Sequence, residues 1–220
     1  MRVAIIGDSY TYSYKDTYLE TICHELNLEV IHQVGFRGFS QYKIYLEFLE
    51  IIKNNPEIII CCHTEHSRFY HPTEQIKKNY NPLINYNKNF RNAVNEYFIH
   101  IYNEDFSKFI HNLIIYEMQK ICKEKNIKLI NIPCFEHNHI VKNYGLWILA
   151  NDGIASCSNI DYKREFDQDR WTLINDAKLL NHFSSHGHQV LANNIIPHIK
   201  TYITSDQEFH ISLLFPELFA

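Results

Sequence analysis

The sequence predicts a single α/β domain, a parallel sheet covered by helices on both faces. Three observations carry this expectation. Short β-branched runs alternate with segments of helical periodicity along the chain, the pattern of a parallel sheet with crossover helices. One run, Glu57–Cys62, is almost continuously apolar, as strands buried on both faces are. The 220 residues are 45% hydrophobic and 21% charged, enough to bury one core.

The elements follow in order. Val3–Ile6 reads as a buried strand running into the turn Gly7-Asp8-Ser9. Thr17 to Leu26 has helical spacing of Leu19, Ile22, Cys23 and Leu26. Leu28–Val34 is a second strand, broken by Gly35 and Gly38, and Gln41 to Lys53 is a helix with Ile44, Phe48 and Ile52 on one face. Pro56 resets the chain before the Glu57–Cys62 strand. Residues 71–92 are polar, contain Pro72 and Pro82, and read as a long loop or lid, of the kind that is usually functional.

Ala93 to Lys125 is helical in two pieces, with Phe106, Phe109, Ile110, Leu113, Ile114 and Met118 as the expected packed face. Ile127–Ile132 is a strand stopped by Pro133. Residues 134–175 look irregular apart from a short strand at Leu146–Ala150, and Gly187 to Tyr202 is the closing helix. The domain is expected over residues 1–205. The tail, 206–220, carries too many large apolar side chains to hang in water and is expected to cover a flank of the helices. Docking onto a second copy is the alternative, a route to a homo-oligomer.

Composition narrows the partners. A formal net charge of -4 without basic clusters gives no electrostatic reason to expect nucleic acid or an anionic membrane. No apolar stretch approaches the roughly 20 residues a bilayer demands. The six cysteines (Cys23, Cys61, Cys62, Cys122, Cys134 and Cys157) show no C-x-x-C spacing and read as reduced core residues of a cytoplasmic protein. The opening apolar run is too short for a signal peptide.

Three blocks carry candidate chemistry. Ser9 follows a buried strand, so its hydroxyl is expected at the carboxyl edge of the sheet, where α/β proteins bind ligands. It is a nucleophile only if a base reaches its proton; otherwise Asp8 or Ser9 simply caps a turn. Gly35-Phe36-Arg37-Gly38 follows the second strand, and its glycines can bring backbone N–H groups close to a ligand or merely turn the chain. Asn181-His182-Phe183-Ser184 precedes Gly187-His188 and a helical run, which sets His182 apart from the other histidines.

Together these blocks resemble the GDSL/SGNH hydrolases. Gly7-Asp8-Ser9 is similar to the family's nucleophile block, Gly38 to its oxyanion glycine, and Asn181 to His188 to its final block. The resemblance spans residues 1 to about 200 and implies a flavodoxin-like sheet of about five parallel strands. It implies an esterase or O-deacylase in which His182 activates Ser9, needing no metal or organic cofactor. Two departures stand out. Where the family has Gly-x-Asn-Asp, the third strand here ends Cys62-His63-Thr64-Glu65, leaving Thr64 or His63 to donate to the oxyanion. Leu179 occupies the position of the usual acid three residues before the histidine; Asp167, Asp169 and Asp176 lie nearby at other spacings. A Ser-His dyad oriented by a main-chain carbonyl, or a divergent triad, is then expected.

Asp8, His63, Glu65 and Arg68 are the expected substrate contacts. Arg68 offers a bidentate fork for an anionic group, unless it pairs with Glu65 in a solvated loop. The expected substrate is a small-molecule or glycan ester. A non-catalytic SGNH-like protein that binds a glycan or a protein partner is the competing reading, supported by the missing asparagine and aspartate. A histidine-bound metal is the weakest reading, because the family pattern accounts for those residues without one.

Overall fold

A computed structural model describes residues 1–12, 14–36, 38–70, 76–77, 88–150, 153–155, 183–205 and 210–213. Arg37, Cys157, Asp167, Asp169, Asp176, Leu179, His182 and most of the expected lid at 71–92 lie outside the described residues.

The chain order is β1 (Arg2–Gly7), α1 (Tyr18–Glu25), β2 (Glu29–Gly35), α2 (Gln41–Ile51), β3 (Ile58–His63), β4 (Arg68–Phe69) and β5 (Ile76–Lys77). There follow α3 (Lys88–His100), α4 (Glu104–Glu124), β6 (Lys128–Pro133), β7 (Leu146–Ala150), α5 (Ser185–Thr204) and β8 (His210–Leu213). Six strands form one sheet in the order β2-β1-β3-β6-β7-β8, every neighbouring pair parallel. The first five have the flavodoxin-like order that the resemblance implies, so the expected α/β three-layer architecture is the one the chain adopts. The short β4–β5 pair is antiparallel and separate.

Alternation along the central strands divides the core. Val3, Ile5, Ile58 and Ile60 pack with Leu19 and Ile22 of α1 and Leu191, Ile195 and Ile199 of α5. Ala4, Ile6, Ile59 and Cys61 face the opposite way, onto Ile44 and Phe48 of α2 and Met118 and Cys122 of α4. Both faces of β3 are buried along its whole length, which is why its sequence lacks alternation. Helix starts are set locally. Ser40 Oγ accepts from the Lys43 N–H at 3.2 Å, Asn103 Oδ1 from Phe106 at 2.8 Å and Ser184 Oγ from Gly187 at 2.9 Å.

Two expectations need correction. The helical region begins at Lys88 rather than Ala93. In α4 the buried stripe is His111, Ile115, Met118, Gln119 and Cys122, whereas Phe106, Phe109 and Leu113 are exposed. His111 and Gln119 tolerate burial because both are bonded: Gln119 Oε1 accepts the N–H groups of Asn143 and Tyr144 at 2.7 and 2.9 Å. Of the tail, the described residues are His210–Leu213. His210–Leu213 pairs in parallel with Trp147–Ala150 as an added edge strand, and Ile211 is buried in the α1/α5 core.

Among the described residues, no helix is long and apolar enough to cross a membrane. The five described cysteines are free thiols and all are buried. Burial pushes Cys23 up to about 11 and raises Cys61, Cys122 and Cys134 as well, which disfavours the thiolate.

Candidate active site

The strands β1, β2, β3 and β6 end at one edge of the sheet, and the residues following them meet there. After β1 the chain makes a 3-10 turn, Ser9–Thr11, at the start of which Asp8 Oδ1 accepts the Tyr10 N–H at 3.0 Å. Thr11 Oγ1 donates back to the Asp8 carbonyl at 2.9 Å. Ser9 is thus the first residue of a hydrogen-bonded turn and is 7% exposed. After β2, Gly35 packs directly on this turn: a Cβ there would lie 2.1 Å from Thr11 Oγ1. Gly38 has φ +79°, a left-handed conformation that glycine adopts without strain.

Thr64, after β3, is held at both ends of its backbone. Its N–H donates to Gln41 Oε1 at 3.3 Å, and its carbonyl accepts from His111 Nε2 at 2.9 Å. That bond makes His111 Nδ1 an acceptor, supplied by His139 Nε2 at 3.0 Å. Thr64 Oγ1 is buried with no hydrogen-bond partner among the described residues. A hydroxyl in that state can donate to an oxyanion where the backbone N–H cannot.

The expected substrate contacts fall into two groups. His63 is a core residue: it is fully buried, its Nε2 paired with Asn131 Oδ1 at 2.9 Å and its Nδ1 with Gln41 Nε2 at 3.1 Å. Burial lowers its pKa to about 4, so it is neutral and offers no free ring nitrogen to a substrate. Asp8, Glu65 and Arg68 instead meet one another. Arg68 Nη1 lies 3.3 Å from Asp8 Oδ2, and its Nε donates to Glu65 Oε1 at 2.9 Å. The Arg68 side chain is only 5% exposed, so this is not a solvated loop. Burial drives the Asp8 carboxyl above its usual range, with Arg68 the main pull the other way. For Arg68, burial works against the charge, but Asp8 and Glu65 outweigh it and hold its pKa raised.

The start of α5 approaches the same edge. Phe183 is buried and packs edge to face on Tyr10, centroids 6.1 Å apart, and on Tyr18 at 6.5 Å. His188 lies beneath Tyr18, its ring stacked at 5.9 Å and its Nδ1 accepting the Tyr18 N–H at 3.3 Å. Among the described residues no group of three or more metal-binding side chains converges.

Beside Arg68 a cleft of about 300 Å³ opens between α2 and α4. Gln41, Tyr42, Phe69, Tyr70, Tyr97 and Phe106 supply much of its wall, and His66, Arg68, Ser107 and His111 its polar groups. Sequence reasoning missed Gln41, Asn131, His111 and His139. The fold brings Gln41, Asn131 and His111 to Thr64 and His63, and His139 joins them through His111.

No family model matches the chain, and no curated protein matches it by sequence. Among solved structures it is similar to an assigned lipolytic protein of the G-D-S-L family from Desulfitobacterium hafniense DCB-2. That likeness has 12% identity and a TM-score of 0.47, over 89% of this chain and 98% of the other. An assigned acylhydrolase from Bacteroides fragilis NCTC 9343 shares 18% identity at a TM-score of 0.33, over 59% of this chain. The alignment spans 46% of that acylhydrolase's own length. A GDSL-like lipase from Bacteroides thetaiotaomicron VPI-5482 shares 14% identity at a TM-score of 0.37, over 96% of this chain and 67% of the other. In strand order, in the Gly7-Asp8-Ser9 turn after β1 and in Gly38 after β2, this chain resembles the GDSL/SGNH hydrolases.

Proposed function

We propose that the chain is a serine hydrolase that cleaves an ester or O-acyl bond, with Ser9 as nucleophile and His182 as general base. The observation that supports this most is the Phe183–Tyr10 contact. Phe183 follows His182 and Tyr10 follows Ser9 in the chain, and the two rings that flank the proposed pair are in contact. In the proposed reaction, His182 takes the Ser9 Oγ proton as Oγ attacks the ester carbonyl. The N–H groups of Ser9 and Gly38 and the Thr64 hydroxyl hold the tetrahedral oxyanion. Collapse expels the alkoxide, which takes the proton from His182, and water then releases the acyl group by the same steps. Small acyl groups on a glycan or another larger molecule are the favoured substrates.

The competing reading, a non-catalytic binding protein of this fold, draws support from Thr64: its N–H is spent on Gln41 rather than left for an oxyanion. Labelling by a serine-reactive fluorophosphonate separates the two. Modification at Ser9, absent in Ser9→Ala, is expected for the hydrolase. No labelling of the wild-type chain would overturn it in favour of the binding protein.

A further inference from the structure

We propose that Arg68 is a positioning residue, a buried clamp that holds the turn carrying Ser9, the loop carrying Gly38 and the loop carrying Thr64 in one fixed arrangement. This rests on the hydrolase reading given above. Arg68 was expected to receive an anionic substrate group, but its Nε and Nη1 are engaged by the protein itself. It meets Asp8, the residue before Ser9, at 3.3 Å. It donates to the carbonyl of Phe39, the residue after Gly38, at 3.4 Å. It binds Glu65, the residue after Thr64, at 2.9 Å, and Ser67 Oγ steadies the other oxygen of that carboxylate at 3.0 Å. Its flat face lies 5.0 Å from the Phe135 ring, just beyond β6. One planar group therefore touches the segments following β1, β2, β3 and β6.

The chemistry suits arginine rather than lysine. A rigid fork of five N–H donors can satisfy two carboxylates and a carbonyl at once, whereas an ammonium is a point charge on a flexible stem. A buried ion pair is poor evidence for stability, since its desolvation offsets much of its attraction, but it can fix a register. Here the register matters because oxyanion donors must sit within a fraction of an ångström of the developing charge. The clamp also has an electrostatic effect. Asp8 is fully buried one residue from the proposed nucleophile, and without Arg68 its negative charge would oppose an oxyanion forming at Ser9. The other groups around Asp8 are Glu65, the Tyr18 phenol and the thiols of Cys61 and Cys134, none of which supplies a compensating positive charge.

The test compares wild type, Arg68→Lys, Arg68→Met and the double variant Asp8→Asn/Arg68→Met, which removes both charges so that no lone carboxylate is left buried. Three measurements are made on each folded variant: p-nitrophenyl acetate kinetics, the pH profile of kcat, and amide hydrogen exchange over residues 8–12, 38–41 and 64–68. Arg68→Met and the double variant should lose on the order of 100-fold in kcat with little change in KM, the scale of losing an oxyanion donor. Arg68→Lys should recover only part of it. In Arg68→Met the pH profile should gain an ionisation that the double variant lacks, as Asp8 titrates without its partner. Exchange should accelerate in all three segments together. Unchanged kcat in a folded Arg68→Met or double variant would overturn the clamp, and a rise in KM alone would make Arg68 a substrate contact instead. A wild-type chain that neither hydrolyses nor labels sinks the hydrolase reading. The exchange data then decide the clamp alone: coordinated loss of protection supports it, and unaltered protection refutes it.

Discussion

The rings of Phe183 and Tyr10 meet edge to face, centroids 6.1 Å apart and planes inclined by 66°. Their contact joins the segment entering α5 to the turn leaving β1, two stretches more than 170 residues apart in the chain. Sequence alone places Ser9 and the 181–188 block in a plausible order; this contact places their neighbours side by side.

Phe183→Ala should therefore do two things. Removing a buried phenylalanine costs about 3–5 kcal/mol through lost transfer energy and the cavity left behind. It should also slow fluorophosphonate labelling of the folded protein, because the two blocks lose their common packing. A variant with a lowered Tm but an unaltered labelling rate would show that the ring serves the core and not the reaction.

Ser9→Ala should leave the fold intact while removing hydrolysis of a p-nitrophenyl ester. The hydrogen bonds that Asp8 Oδ1 and Thr11 Oγ1 make across the turn both remain in the variant. A Tm change within about 3 °C is expected, the scale of roughly 1 kcal/mol in a domain of this size. Full activity in the purified variant would refute the nucleophile assignment.

The strand–helix alternation was legible because it rests on burial, and burial leaves a pattern. Val3–Ile6 and Glu57–Cys62 sit centrally in the sheet because their apolar runs have nowhere else to go. The buried stripe of α4 was not legible. Counting apolar side chains selects Phe106, Phe109 and Leu113, yet the helix turns His111 and Gln119 inward. Their burial is allowed by partners at Thr64, Asn143 and Tyr144, far away in sequence. The same reason hid the surroundings of Arg68. Its pairing with Glu65 follows from an i,i+3 spacing, but its approach to Asp8 depends on β1 and β3 being neighbours.

Acid should destabilise the chain in a defined window. His63, His139 and His188 all have pKa values lowered to about 4, with burial as the leading cause in each case. In the unfolded chain a histidine titrates near 6.5, so between about 6.5 and 4 the unfolded state binds more protons than the folded one. Stability is then fully present above about pH 6.5 and declines as pH falls toward 4. For the fully buried His63 the loss amounts to roughly 3 kcal/mol at pH 4. Thermal melts from pH 7.5 to 4 should show this decline, and His63→Asn should flatten it. A Tm independent of pH across that range would contradict neutral buried histidines.

Deleting residues 208–220 should destabilise the isolated domain, because it removes β8. Ile211 is buried against the α1/α5 core, and an aliphatic side chain of this size contributes about 1.5–3 kcal/mol when taken from water. The deletion also strips the hydrogen-bonding partner from Trp147–Ala150, making β7 an exposed edge. β7 is almost wholly buried and apolar, and bare edges of that kind recruit other strands. The truncated chain should melt lower and form larger species on gel filtration, both more severely than a Ser212→Ala control. A subunit contact made by the tail predicts the reverse: a full-length oligomer, and a truncated monomer with an unchanged Tm. The pairing of Ile211 with Ile148 in the chain's own sheet argues for the first outcome, because the ladder of β7 is then filled by the chain's own tail.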